Sequence, residues 1–168
     1  MVWVVATTIS IASISVLSAR LPEHVATHFS LGGAVNRWTD RTTYEASLLA
    51  TVLIAAGFPP ALCYCIRFVS PTTLNVPRRE YWRSPEHFPA ACAYIYGHSL
   101  WLGAVLAAWA AGLNLLVVAA NTFFPRRLSG FGIIGLTGAL LLASAVWIAQ
   151  VVRFFKRAST AAPCRAHP

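Results

Sequence analysis

Ser99–Asn121, SLWLGAVLAAWAAGLNLLVVAAN, runs for 23 residues without an Asp, Glu, Lys or Arg. As a helix at 1.5 Å per residue it is about 35 Å long, enough to cross a hydrocarbon core about 30 Å thick. Three further stretches share this character, Val2–Ala19, Ala46–Val69 and Gly130–Val152, and Arg67 near the end of the second is the one charge within them. The chain has 168 residues, of which 57% are hydrophobic and only 11% charged, and its mean hydropathy is +0.62. A water-soluble domain carries about 25% charged residues, so this composition points to a membrane protein.

The expected fold is all-α, an integral membrane bundle of four transmembrane helices with a folded first loop. A single domain over residues 1–157 holds helices at about 2–19, 46–69, 85–121 and 130–153, and residues 158–168 form a disordered cytoplasmic tail. The first segment ends in Ser18-Ala19 but has no Lys or Arg before Arg20. Without a basic n-region it reads as a retained helix rather than a secretory signal.

The net charge is +8, from thirteen basic residues scattered over the loops and the tail. That scatter argues against a nucleic-acid partner. In a four-span topology the second loop and the tail hold Arg67, Arg78, Arg79, Arg83, Arg153, Lys156, Arg157 and Arg165, while the first and third loops hold Arg20, Arg37, Arg41, Arg126 and Arg127. Eight against five predicts both termini on the cytoplasmic side of a cell membrane.

Within the helices, Cys63 and Cys65 lie about 200° apart around the axis and cannot chelate or pair. With Cys92 and Cys164 they form no C-x-x-C, and the first three read as small apolar filler. Small residues recur every four positions at Ala104, Ala108 and Gly112 and at Gly135, Ala139 and Ala143. Such stripes let backbones approach closely in lipid, and predict that the two faces meet each other or a second copy. The run from Gly130 to Gly135 fits the letters of a dinucleotide loop but opens a membrane helix with no strand before it, so no cofactor is expected. Pro59-Pro60 falls near mid-membrane and predicts a kink, or freed carbonyls lining a polar cavity. Ser84-Pro85-Glu86 reads as an N-cap, a first-turn proline and a first-turn acid, opening a helix that runs to Asn121 unless Pro89 or Gly97 breaks it. His98, Asn114 and Asn121 are its polar members, and His98 is a functional candidate as an intramembrane ionisable group.

Two loops carry the remaining information. Leu21–Phe29, followed by Gly32, Gly33, Asn36, Trp38 and Asp40, mixes turn formers with aromatic and titratable residues and predicts a compact cap at the membrane surface. His24 and His28 are spaced for one face of a helix, and a zinc site would need Glu23 or Asp40 as a third ligand. Otherwise His28 bonds the loop backbone while Phe29 and Trp38 anchor at the headgroups. The second loop, Asn75 to His87, places Tyr81 and Trp82 between arginines suited to anionic headgroups.

On these residues the chain resembles the family called domain of unknown function 1648. Its first-loop signature is similar to Leu21, Pro22, Val25, His28, Phe29, Gly33, Asn36 and Trp38, and its second-loop signature to Asn75, Pro77, Tyr81, Trp82, Pro85 and Glu86. Ala26 stands where that family has a second proline, which relaxes the turn before His28, and His24 falls on a variable position. The similarity spans residues 1 to 122, and the same domain forms the N-terminal part of SdpI-type immunity proteins. Those multi-pass proteins confer immunity to a secreted membrane-active peptide toxin and pass its presence to a repressor, and they carry further helices that a chain of this length lacks.

The resemblance implies a non-enzymatic bacterial membrane protein that binds an amphipathic peptide, a lipid or a protein partner in an immunity or sensing role. The implied ligand-binding residues are Pro22, His28, Phe29, Gly33, Asn36, Trp38, Asn75, Pro77, Tyr81, Trp82 and Glu86, to which His98 is added as the intramembrane candidate. Membrane lipids are expected contacts, with a homodimer through the small-residue faces; no catalytic residue and no metal are expected. Two alternatives come from the residues themselves. One is a membrane-embedded hydrolase or metal-dependent enzyme using His28, Glu86, His87 and His98. The other is a small transporter subunit built around Pro59-Pro60, His98 and Asn114.

Overall fold

The computed structural model describes residues 1–30, 32–123 and 127–157. The expected tail from residue 158, with Cys164 and Arg165, and Arg126 of the third loop lie outside the described residues. The elements are α1 (Val2–Ser18), β1 (His24–Phe29), β2 (Val35–Asp40), α2 (Arg41–Cys65), α3 (Arg79–Trp82), α4 (Phe88–Thr122) and α5 (Gly130–Arg157), with short 3-10 turns at Ile66–Phe68 and Pro71–Thr73. The molecule is predominantly helical, with one addition: the folded first loop is an antiparallel β-hairpin.

Among the described residues three helices are long and apolar enough to cross a membrane: α2 with its 3-10 extension, α4 and α5. α1 is apolar but has 17 residues, about 25 Å of helix. α2 starts five residues before its apolar run because Asp40 caps it, with Oδ2 accepting from the Thr43 N–H at 2.7 Å and the Thr42 hydroxyl at 2.8 Å. α4 starts later than Ser84-Pro85-Glu86 suggests. The Ser84 hydroxyl turns back to the Tyr81 carbonyl at 2.9 Å and to His87 Nδ1 at 2.8 Å, so His87 precedes the first helical residue and Pro89 sits in the first turn. Neither Pro89 nor Gly97 breaks the helix, which is continuous for 35 residues.

α4 is the central element and packs against α1, α2 and α5. Ile14, Val52, Ala56, Ala107 and Ala110 form the core where α1, α2 and α4 meet. The closest approach is at Gly103, where a Cβ would collide with the Ala56 carbonyl oxygen and the Trp3 indole. The prolines explain this contact. Pro60 has no N–H to return to Ala56, four residues earlier, and the orphaned carbonyl instead accepts from Trp3 Nε1 at 2.9 Å. The carbonyl freed by Pro60 thus meets an indole donor from α1 rather than a polar cavity.

The two small-residue stripes do not meet each other. Gly112 lies against the Leu136 side chain and Gly132 against Leu116, whereas Gly135 has nothing near its missing Cβ and Ala139 is exposed. Small residues on α4 are spent mainly on α2 and α1, because Gly103, Ala107 and Ala110 lie on the face that the stripe of Ala104 and Ala108 flanks.

Candidate functional site

The hairpin is the most built-up surface feature. Its register pairs His24 with Asp40, Val25 with Thr39, Ala26 with Trp38, His28 with Arg37 and Phe29 with Val35, with irregularities between Ala26 and His28 and between His28 and Phe29. His24 and His28 therefore lie along a strand, about 13 Å apart at 3.3 Å per residue, and the helical-face pairing of the two imidazoles is corrected. Among the described residues no group of three metal-ligating side chains comes together.

Four attachments hold the hairpin on the bundle. Asn121, in the last turn of α4, accepts from the Ala26 N–H through Oδ1 at 2.8 Å and donates from Nδ2 to the Ala26 carbonyl at 3.1 Å. Its carboxamide thereby occupies the edge of β1 that β2 leaves open, as a third strand would. The same Nδ2 also donates to the Val117 carbonyl at 2.9 Å, which fixes the rotamer. At the tip, Gly33 has φ +80 and its missing Cβ faces the Leu128 carbonyl; its own carbonyl accepts from the Leu128 N–H at 3.1 Å. Ala34 bridges Arg127, so the first and third loops share one end of the molecule. At the base, the Arg41 N–H donates to the Glu23 carbonyl at 2.8 Å and its guanidinium reaches the Leu21 carbonyl at 3.3 Å, close to the C-terminal end of α1 where a cation is favoured.

What this frame presents outward is Pro22, His28, Asn36 and Trp38, all exposed, with Phe29 half-buried beside them; Trp38 is 45% exposed. Asp40 closes the hairpin. Its hydrogen bonds from Thr43, and then from Thr42, hold its carboxyl at about 2, against an ordinary 3.8. Ala26 lies in a strand rather than a turn, and its N–H, which a proline would lack, is the one Asn121 binds.

The second loop lies at the other end. Trp82 is 3% exposed, so it belongs to an interior cluster with Leu74, Ala91 and Phe155 rather than to a headgroup belt. Its indole N–H donates to the Phe155 carbonyl at 3.1 Å, and its ring stacks on Phe154 at 5.2 Å. Tyr81 packs on His87 at 3.8 Å, Pro77 is half-buried, and Asn75 and Glu86 are exposed. His98 stacks on Tyr94 at 4.0 Å, and its carbonyl accepts from Trp147 Nε1 at 2.8 Å.

α4 measures the separation between the two loops. Asn121 touches the hairpin and His98 lies 23 residues earlier on the same unbroken helix, about 35 Å away, with Glu86 and His87 beyond it. The structure therefore brings Trp82 together with the C-terminal end of α5, and does not bring His28 together with Glu86, His87 or His98. Asn114 is also far from His98, and its Oδ1 accepts from the Tyr44 hydroxyl at 2.8 Å. His98 and Asn114 thus do not come together, and Nδ2 of Asn114 is buried without a hydrogen-bond partner among the described residues.

Sequence reasoning missed Asn121 as an anchor, although a lone carboxamide at the end of an apolar run was its signal. Trp3, Gly103 and Phe155 gave no local signal, since their roles depend on which helices meet. No family model, no curated protein and no solved structure matches the chain.

Proposed function

We propose that the chain is a non-enzymatic, multi-pass membrane protein whose hairpin is a recognition surface for an amphipathic peptide, a lipid or a protein partner. The observation that carries this is the way Asn121, Gly33 and Arg41 fasten the hairpin to the end of α4, to the third loop and to the chain just after α1, while Trp38, His28 and Asn36 stay exposed. An exposed aromatic on a preorganised frame loses little entropy on binding, which is how anchors at recognition sites act. The resemblance of the two loops to those of SdpI-type proteins extends the proposal to immunity against, or sensing of, a membrane-active peptide.

The proposal includes four spans, with α1 crossing as the shortest through local thinning or snorkelling. The charge distribution supports both termini in the cytoplasm. The hairpin end carries Arg20, Arg37, Arg41 and Arg127, whereas the α3 end carries Arg67, Arg78, Arg79, Arg83, Arg153, Lys156 and Arg157. Pairing with a second copy through the exposed Gly135 and Ala139 belongs to the same proposal.

The test is survival. Bacteria producing the chain are challenged with a secreted amphipathic peptide that permeabilises cells lacking it. The proposal predicts protection by the wild type and its loss in Trp38→Ala at an unchanged amount of protein in the membrane. Equal survival of the two, or no protection by either, refutes the immunity reading.

A further inference from the structure

The α3 end holds a cleft that the hairpin reading does not use. It lies between the last turns of α2 and the first turns of α4, has a volume of about 370 Å³, and is lined among others by Tyr64, Arg67, Phe88, Cys92, Ala93 and Tyr96. Ligand sites commonly fall between about 300 and 1,000 Å³. Its wall is largely aromatic and apolar, and among the described residues Arg67 is the one charged side chain on it. The guanidinium sits 4.7 Å from the centre of the Tyr64 ring, and Tyr64 in turn packs edge-on against Tyr96 at 5.7 Å. Among the described residues no carboxylate pairs with Arg67. The cation is thus held against a ring face with its hydrogen-bonding fork left for an outside acceptor.

The place in the fold fits the chemistry. α2 with its 3-10 extension runs from Arg41 to Phe68, so Tyr64 and Arg67 fall 23 and 26 residues along, about 35 to 39 Å from the hairpin end, at the far interface of a span about 30 Å thick. Tyrosines concentrate at that level, and an arginine there meets lipid phosphates. We propose that this cleft binds one anionic phospholipid, its phosphate taken by Arg67 and the upper part of an acyl chain lying between Phe88, Ala93 and Tyr96. A free phosphate ion would find a single cation and no second charged donor on the wall. A phospholipid uses both the fork of Arg67 and the apolar wall.

This proposal rests on the membrane reading, but a binding measurement on the solubilised full chain is independent of loop sidedness. Native mass spectrometry in detergent, with phosphatidylglycerol carrying oleoyl chains titrated in, reads occupancy directly. The expected result is a single bound lipid, weakened about tenfold by Arg67→Gln, the loss of one charge-assisted bond. Ala93→Trp, which fills the cleft and keeps the charge, weakens binding as well, and Arg79→Gln, equal in charge change but outside the cleft, leaves it unaltered. Equal weakening by Arg67→Gln and Arg79→Gln overturns the site in favour of general charge attraction. Undiminished binding to Ala93→Trp, or displacement of the lipid by inorganic phosphate or oleate at equal concentration, overturns it too.

Discussion

Replacing Asn121 by alanine should release the edge of β1 at Ala26 from α4 while the contacts of Gly33, Ala34 and Arg41 and the helices stay in place. Ala26 is fully buried, and the substitution strips partners from both its N–H and its carbonyl. An unpaired buried group costs about 1–3 kcal/mol, while hydrogen bonds measured inside membrane proteins average about 0.6 kcal/mol. The lower figure reflects replacement partners, and at the hairpin edge water is such a partner. A cost of about 2 kcal/mol for the pair lies between these limits, which is roughly thirtyfold in the opening equilibrium. Hydrogen exchange of the Ala26 amide in the detergent-solubilised protein should therefore rise about thirtyfold, while amides in the middle of α4 keep their protection. Asn121→Asp should be at least as damaging, because it keeps the acceptor for the N–H but sets an oxygen against the Ala26 carbonyl. Ala26→Pro should open the hairpin in the wild type and add little in the Asn121→Ala background. Unchanged exchange at Ala26 in Asn121→Ala would refute the clamp. Tolerance of Ala26→Pro would mean that the Ala26 N–H is dispensable and that the hairpin is held elsewhere.

Three further outcomes follow from the same contacts. Trp3→Phe should lower thermal stability in detergent by about 1 kcal/mol through loss of the bond to the Ala56 carbonyl, and should cost much less in a Pro60→Ala background, where the helix can supply its own donor; equal costs in the two backgrounds would sink the explanation. Gly103→Leu should destabilise by about 1–3 kcal/mol, since its side chain must displace Trp3 or push α2 away, whereas Gly135→Leu, with open space around it, should be neutral in the monomer by the same melt. Asp40 has its folded pKa depressed to about 2 from 3.8, so the stability it contributes is present above about pH 4 and is lost as pH falls through about 2; melts of wild type and Asp40→Asn should differ above pH 4 and converge towards pH 2.

The apolar runs located α2, α4 and α5 because length and hydropathy act on each helix separately. Boundaries were less legible where polar residues continue a helix beyond lipid. Asp40 and Thr43 start α2 ahead of Ala46, and Ser84 spends its hydroxyl inside the turn instead of capping α4. The hairpin was hidden by its own irregularities. Val25 and Ala26 are both buried because Asn121 grips the strand edge, and the shifts around His28 break the two-residue period that marks a strand. For the site, His28, Asn36 and Trp38 were readable as an exposed group. Trp82 was not readable as interior, because Phe154 and Phe155, its partners, lie more than 70 residues away in sequence.

The central claim is a membrane bundle with the hairpin on one face and the α3 loop on the other. It is tested most directly by replacing the native cysteines, placing single cysteines at Thr42 and at Arg79, and labelling intact cells with a membrane-impermeant thiol reagent. The account predicts that Thr42→Cys reacts and Arg79→Cys does not, until the membrane is permeabilised. Reaction at both positions in intact cells would contradict it.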